Sequence, residues 1–190
     1  MQKRKLKIVF NSPVILTFVF ICFVATLLGY VTGGVSTAVF FMTYHSSLTN
    51  PMTWLRFFTH VFGHSGWDHL IGNMTYLLLL GPMLEEKYGS RNILEVIGIT
   101  ALVTGAVNYV LFPDVALCGA SGVVFALILL SSIVGVKQGE IPVTFILVAV
   151  IFLGQQVYEG ITVQDNISNM AHIVGGIIGS VCVYVLNKKS

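Results

Sequence analysis

Charged side chains are scarce in this sequence. Only 9% of its 190 residues are Asp, Glu, Lys or Arg, and 55% are hydrophobic, whereas a soluble domain carries roughly 25% charged residues. This composition excludes a soluble globular domain, and the length suits a single domain. The net charge is only +2, and no basic patch is interleaved with aromatic residues. A nucleic-acid partner is therefore not indicated.

Cysteine is also rare, and its spacing is uninformative. The three cysteines, Cys22, Cys118 and Cys182, are scattered and form no Cys-x-x-Cys pair. An odd number at such spacings indicates neither a disulfide framework nor a zinc site. We therefore expect no bound metal and no cofactor.

What the sequence has instead is a series of apolar segments. At 1.5 Å per residue, segments of about 20 residues cross a hydrocarbon core of about 30 Å. Six segments of this character are predicted to span a membrane, at 14–35, 69–84, 93–112, 121–136, 141–158 and 169–186. The first lacks a convincing cleavage site and is interpreted as a retained span, not a signal peptide. The chain is thus predicted to be one all-α membrane domain over residues 1–190.

The long connection between the first two spans, residues 36–67, differs from the rest. It is rich in aromatic residues, contains a single Arg and has no long apolar run. Such a composition is typical of a segment that lies in the membrane interface.

The basic residues define the orientation. With the N-terminus on the cytoplasmic side, six spans place both termini inside, and nine of the ten Lys and Arg residues are then cytoplasmic. Only Arg56 is outside, which agrees with the positive-inside rule. We expect an integral multi-pass protein, in a bacterial cell membrane, with both termini in the cytoplasm and its lipid partners around the bundle.

Polar residues recur at one depth on the second, fourth and sixth spans. His69, Ser121 and His172 each precede an inner-surface charge by 16 residues, which is about 24 Å of helix. Asn73 lies one turn deeper on the face of His69. Polar groups at membrane depth are costly and usually face a protein interior or a wet cavity. These four residues predict a polar chamber that opens to the outer face.

The chamber has the groups that an acyl-transfer site needs. His172 can act as the general base for Ser121. The amide of Ser121 at a helix N-terminus, with His69 and Asn73 as side-chain donors, can stabilise an oxyanion. Phe125 lies one turn below Ser121, where its ring could pack against His172. Taken alone, the small residues from Gly119 to Gly122 equally favour close helix packing.

Three stretches resemble the signature sequences of the rhomboid intramembrane serine proteases: Gly119-Ala120-Ser121-Gly122, His69 to Asn73, and Ala171 to Gly175. His60, His64 and the run from Glu85 to Ser90 add to the resemblance, which extends from about Trp54 to Gly179. It implies a rhomboid-like bundle of six transmembrane helices with a long interfacial first loop.

The resemblance also implies an activity. That activity is a serine endopeptidase with a Ser121–His172 dyad and an oxyanion site at His69 and Asn73. Its substrates would be transmembrane segments of other membrane proteins, cleaved near the outer face, with the fifth span as a gate. Gly119, Phe125 and His64 are expected to shape the site or to contact substrate.

Two positions depart from the family pattern. Leu55 separates Trp54 from Arg56, where many members have adjacent Trp-Arg, so docking of the first loop can differ. Phe125 replaces a frequent Tyr, so the orientation of His172 would depend on packing and not on a phenol hydrogen bond.

Several alternatives stay open. The chain could be an inactive relative that binds membrane helices, or, from another class, a small transporter or metal-binding membrane protein. His60 and His64 would form an i, i+4 pair on a helix, which suits a metal. The carboxylate of a His-Glu-x-x-His site is missing, so scaffolding of the first loop or substrate contact is favoured over a metal.

Two packing expectations complete the analysis. Glu85 is expected to form an ion pair with Lys87 or Arg91 at the inner surface. Gly175 and Gly179 are expected to form the seam along which the sixth span packs against the fourth.

Overall fold

The structure is a computed structural model that describes residues 8–132, 140–162, 173–175, 177–178 and 181. Its named helices are α1 (Pro13–Val31), α2 (Val35–Phe40), α3 (Pro51–Thr59), α4 (Trp67–Tyr88), α5 (Ser90–Leu111), α6 (Ser121–Ser131) and α7 (Val143–Thr162), with a 3₁₀ turn at His60–Phe62. Residues 173–175, 177–178 and 181 are also helical. Within the described residues the only β pairing is an isolated bridge between Thr43 and Leu117. The protein is therefore all-α, as the composition predicts.

Among the described helices, α1 and α5 are long and apolar enough to cross a membrane, whereas α6 is apolar but shorter. Helix α1 ends at Val31, four residues before the predicted end of the first span. The chain turns there because Gly33 and Gly34 adopt positive φ angles of 61° and 90°, which glycine tolerates without a steric penalty. The short helix α2 follows.

Helix α6 lies at the centre of the bundle. It packs against α4, α5 and α7, and eight of its 11 residues are buried. A helix that is apolar on all sides is stable only where other helices surround it. The start of α6, which carries Ser121, is therefore held from several directions.

The connection between α1 and α4 is ordered by buried polar contacts. Arg56 in α3 is only 6% exposed, donates from Nε to the Val39 carbonyl at 2.9 Å and stacks over the Tyr44 ring at 4.4 Å. Its neighbours Trp54 and Leu55 are about half exposed. The contacts of Arg56 thus join α3 to α2 and hold the first loop in place.

The expected ion pair of Glu85 with Lys87 or Arg91 is wrong. Arg91 pairs with Glu95, four residues along α5, at 3.0 Å, and the Lys87 ammonium lies over the Tyr88 ring. Glu85 is buried and uses its carboxylate for hydrogen bonds within the described bundle.

Those hydrogen bonds cap helix α1. The Glu85 carboxylate accepts from the Ser12 hydroxyl at 2.6 Å, from the Val14 and Ile15 amides at 3.0 and 3.1 Å, and from the Ser90 hydroxyl at 2.7 Å. The first amides of a helix have no partner within the helix, and the helix dipole favours a negative charge there. One carboxylate on α4 therefore holds the start of α1 and the start of α5 against α4.

Replacing Glu85 by Ala is expected to lower the thermal stability of the purified protein. The variant leaves two amides and two hydroxyls without their acceptor, and a single hydrogen bond to a charged group contributes about 1.5–3 kcal/mol. Thermal unfolding in detergent measures the effect. Glu86→Ala is the matched control, because Glu86 is the next residue and is exposed. Equal melting temperatures for the two variants would contradict the capping role.

Candidate active site

The loop that leads into α6 is held by backbone hydrogen bonds to two other segments. Leu117 exchanges backbone hydrogen bonds with Thr43 at 2.8 and 2.9 Å, and the Gly119 amide donates to the His60 carbonyl at 2.9 Å. Gly119 has a φ of 127°, a backbone conformation that residues other than glycine rarely adopt. Ser121 follows as the first residue of α6 and is partly buried. Its amide is therefore at a helix N-terminus, as the sequence predicts.

His69 and Gly119 are in direct contact. A Cβ atom placed on Gly119 would lie 2.7 Å from Cε1 and 2.8 Å from Nε2 of His69. The other ring nitrogen, Nδ1, is 3.1 Å from the Ser65 hydroxyl. The Nε2 edge of the imidazole thus faces the loop two residues before Ser121. Because of this close approach, position 119 has room only for glycine.

Asn73 lies one turn after His69 on α4, and its side chain is buried at 7% exposure. Its Nδ2 atom has no hydrogen-bond partner among the described residues. A buried amide donor without a partner costs about 1–3 kcal/mol, so most buried polar groups in proteins have one. Within the part of the chain that the structure describes, nothing occupies this donor.

His64 packs edge-on against His69, with ring centroids 4.9 Å apart. Its Nδ1 is 3.2 Å from the Phe62 carbonyl and therefore carries the proton, so Nε2 is an acceptor. Burial, with the nearby His69 as a smaller cause, lowers the pKa of His64 to about 4. His64 is thus neutral at pH 7.

His60 is positioned differently from His64. Its Nδ1 contacts the Arg56 carbonyl at 3.1 Å and its Nε2 contacts the Thr104 hydroxyl at 3.2 Å. Burial lowers the pKa of His60 to about 4. The 3₁₀ turn ends at Phe62, so the two histidines are not an i, i+4 pair on one helix. His60 has a structural role in joining the first loop to α5.

Phe125 is completely buried and lies one turn after Ser121 on α6, the position that the sequence indicates. His172, the predicted base, lies outside the described residues, and so does Gly179.

Gly175, three residues after His172, is described, is helical and is buried. A Cβ atom on Gly175 would lie 2.7 Å from the Cα of Gly122 and closer still to the Gly122 carbonyl oxygen. The backbone at Gly175 therefore touches the backbone of α6 directly beside Ser121. The predicted seam between the sixth and fourth spans is confirmed at this residue.

Ser65 contacts a candidate site residue although no sequence pattern singled it out. Its hydroxyl contacts the His69 ring, although Ser65 precedes the first residue of α4. The four-residue spacing to His69 was the available signal, but it would have required a helix that starts earlier than Trp67.

Several known proteins resemble this chain over about 70% of its length. The profile of the rhomboid domain matches residues 51–189. The chain is 27% identical over 154 residues to rhomboid-like protein 11, chloroplastic, of Arabidopsis thaliana, which covers 73% of this chain and 55% of the relative. It is 29% identical over 141 residues to rhomboid-related protein 1 of Caenorhabditis elegans, and the match covers 69% of this chain and 39% of the relative.

A third relative has an activity in its name. The chain is 30% identical over 132 residues to the rhomboid protease GlpG of Salmonella newport, covering 68% of this chain and 48% of the relative. The chain thus spans about half the length of these curated relatives. Because the rhomboid profile covers most of the sequence, including every site residue described above, the chain belongs to the rhomboid family.

Proposed function

We propose that this protein is an intramembrane serine endopeptidase that hydrolyses peptide bonds in or near transmembrane segments of other membrane proteins. Ser121 is the nucleophile and His172 is the base. The observation that carries the proposal is the contact of His69, on α4, with Gly119, two residues before Ser121. One turn further along α4, the buried side-chain donor of Asn73 has no partner among the described residues.

In the acylation step, the Ser121 hydroxyl oxygen attacks the carbonyl carbon of the scissile bond while His172 accepts the hydroxyl proton. The negative charge moves to the carbonyl oxygen. The Ser121 amide, which the first helical turn leaves without an intrahelical partner, together with His69 and Asn73, donates to that oxygen. His172 then gives its proton to the leaving amine as the peptide C–N bond breaks.

In the deacylation step, a water oxygen attacks the acyl carbon of the ester on Ser121. His172 accepts a proton from this water and returns it to the Ser121 oxygen as the ester C–O bond breaks. The products are a free carboxylic acid and the original enzyme. Water must therefore reach the site, and no metal or redox group is required.

The position of Gly175 supports the assignment of His172 as the base. Backbone contact between Gly175 and Gly122 brings the last span against the residue that follows Ser121. Three residues are slightly less than one turn of an α-helix. We expect the chain to stay helical from Gly175 back to His172, which would bring the imidazole near the start of α6.

The proposed setting is a bundle of six membrane-spanning helices in one domain, with both termini in the cytoplasm. The distribution of Lys and Arg supports this orientation, and α1 and α5 have the length and apolar composition of spans. Substrate helices would enter between α4 and α7 and be cleaved near the outer face.

A serine-directed fluorophosphonate probe tests the proposal. The detergent-solubilised protein is expected to bind the probe covalently at Ser121, identified by mass spectrometry of the labelled peptide, and Ser121→Ala is expected to remain unlabelled. Labelling reports an activated serine and does not depend on knowledge of the substrate. A protein that is folded but unlabelled would instead be an inactive binder of membrane helices.

Asn73→Ala is expected to slow turnover of a transmembrane reporter by at most about 10²–10³-fold, the effect of losing one oxyanion donor. The fall should be in kcat, because the donor acts on charge that develops in the transition state. Asn92→Ala is the control, since Asn92 is a partly buried asparagine whose side chain bonds the Tyr88 carbonyl at the other end of the bundle. An unchanged kcat in Asn73→Ala would contradict oxyanion donation and indicate that Asn73 only packs between helices.

A further inference from the structure

The imidazole ring of His69 is held on three sides by groups around the start of α4. Its Nε2 atom lies against Gly119, where an added Cβ atom would be only 2.8 Å away. The His64 ring packs edge-on against it, with the centroids 4.9 Å apart. The other ring nitrogen, Nδ1, is 3.1 Å from the hydroxyl oxygen of Ser65. Each nitrogen of His69 therefore has a defined neighbour.

The orientation of the ring does not by itself decide which nitrogen of His69 carries the proton. A neutral imidazole has one N–H donor and one acceptor nitrogen, and the hydrogen bond made by one nitrogen sets the state of the other. The proposed mechanism needs the donor at Nε2, because that atom faces the loop before Ser121. A ring with its proton on Nδ1 would instead turn a lone pair toward the oxyanion.

The Ser65 hydroxyl can select between these two forms of the ring. A serine hydroxyl has one hydrogen to donate, and donation to Nδ1 stabilises the form in which Nδ1 is the acceptor. Ser65 is exposed, so its oxygen can accept from solvent at the same time. His64 does not offer this donor, because its own Nδ1 hydrogen is directed at the Phe62 carbonyl, 3.2 Å away.

The hydroxyl of Ser65 is not needed to cap helix α4. Gly66 is the N-cap residue of that helix, and within the described residues no side chain caps it. A serine next to a helix start usually serves as a cap, with a hydrogen bond to a backbone amide. At Ser65 the hydroxyl contacts an imidazole nitrogen instead, so its removal should affect the ring and not the helix.

We propose that Ser65 is a positioning residue, which donates to Nδ1 of His69 and thereby keeps the ring proton on Nε2 for the oxyanion. The inference rests on the proposed function, since it concerns a donor in that reaction. Ser65 acts through His69 in this role and does not contact the substrate. What it contributes is the difference in free energy between the two forms of the ring.

Ser65→Ala is expected to lower kcat for a transmembrane reporter about tenfold, which corresponds to about 1.4 kcal/mol. KM and the melting temperature should not change. The fall should be smaller than that for loss of a whole oxyanion donor, because the imidazole is still present. It should appear in kcat, because the negative charge develops only in the transition state. A higher KM with an unchanged kcat would make Ser65 a substrate contact and overturn the proposal.

Ser65→Thr tests whether the hydroxyl itself matters. The variant keeps this group, and its extra methyl has room, because Ser65 lines a cavity of about 440 Å³ between α1, α2 and the start of α4. Its kcat should match that of the unmodified protein. Ser47→Ala is the control, since Ser47 is an exposed serine of the same loop whose hydroxyl contacts that of Thr49. If Ser65→Ala and Ser47→Ala had equal kcat, or if Ser65→Thr were as slow as Ser65→Ala, the positioning role would be excluded.

Nitrogen NMR examines the ring without catalysis. In protein labelled with ¹⁵N-histidine, the couplings between ring nitrogens and ring protons show which nitrogen is protonated, and His69→Gln identifies the His69 signals by their loss. We expect the proton on Nε2 in the unmodified protein and a larger share on Nδ1 in Ser65→Ala. A proton on Nδ1, or on both nitrogens, in the unmodified protein would overturn the positioning role. Absence of fluorophosphonate labelling would instead overturn the enzyme proposal, whatever the state of the ring.

Discussion

Ser121→Ala is expected to abolish cleavage of a transmembrane reporter while leaving the fold intact. The substitution removes the oxygen that forms the acyl-enzyme, and loss of a serine nucleophile costs on the order of 10⁶-fold in kcat in soluble serine proteases. Such a loss places the variant below detection. Since Ser121 is only partly buried at the start of α6, the missing hydroxyl should not disturb packing.

Reporter cleavage in liposomes, resolved by gel, measures this effect. Ser131→Ala is the matched control, because Ser131 ends the same helix and, among the described residues, its hydroxyl bonds the Ile128 carbonyl. It should cleave like the unmodified protein. His172→Ala should lose activity as Ser121→Ala does. Full activity in Ser121→Ala would remove the proposed mechanism, and a largely retained rate in His172→Ala would place the base elsewhere.

The same variant identifies substrates. Membrane proteomes of cells that carry the unmodified protein or Ser121→Ala should differ in the fragments of cleaved proteins. A substrate should accumulate at full length only in the cells with the variant.

Gly175→Ala is the second change for which we expect a large effect. The added methyl group would lie 2.7 Å from the Cα of Gly122, a distance that requires the two backbones to move apart. Forcing extra volume into a packed interface costs about 1–3 kcal/mol. The separation would also move the span that carries His172 away from Ser121. We therefore expect both a lower melting temperature and a loss of most reporter cleavage.

Gly154→Ala is its control. Gly154 lies inside α7 and is exposed, and a Cβ atom there would meet no described atom within 4 Å beyond its chain neighbours and its own helix backbone. Because alanine is favoured over glycine inside a helix by about 0.5–1 kcal/mol, this variant should be as stable as the unmodified protein or slightly more so. Thermal unfolding and reporter cleavage compare the two. Equal behaviour would show that the seam at Gly175 does not position the site.

Much of the candidate site follows from sequence spacing. The common 16-residue distance to an inner-surface charge relates His69 and Ser121 without any structure, and the structure brings the His69 ring against Gly119. Small residues at 119, 122 and 175 indicated close helix packing, which is what the structure shows at Gly122 and Gly175. Helical periodicity placed Asn73 beside His69, since residues four apart share a face.

Other features could not be read in this way. Glu85 is followed by Lys87 and Arg91, so local charge suggested an ion pair, yet its partners Ser12, Val14 and Ile15 are about 70 residues away. The early end of α1 depends on two glycine conformations that an apolar run does not reveal. The cavity beside the outer end of α1 is lined by residues of α1, α2 and the loop before α4, so no single stretch of sequence predicts it.

The sequence by itself determined the all-α class, the membrane setting and the membership of one family, because apolar length, charge distribution and short motifs are properties of neighbouring residues. Only the tertiary structure decided which partners satisfy Glu85 and which buried polar atoms, such as Nδ2 of Asn73, have no partner among the described residues. These outcomes depend on contacts between helices that are distant in the chain. A buried polar group is satisfied or left unpaired by what packs against it, and that is settled only when the helices assemble.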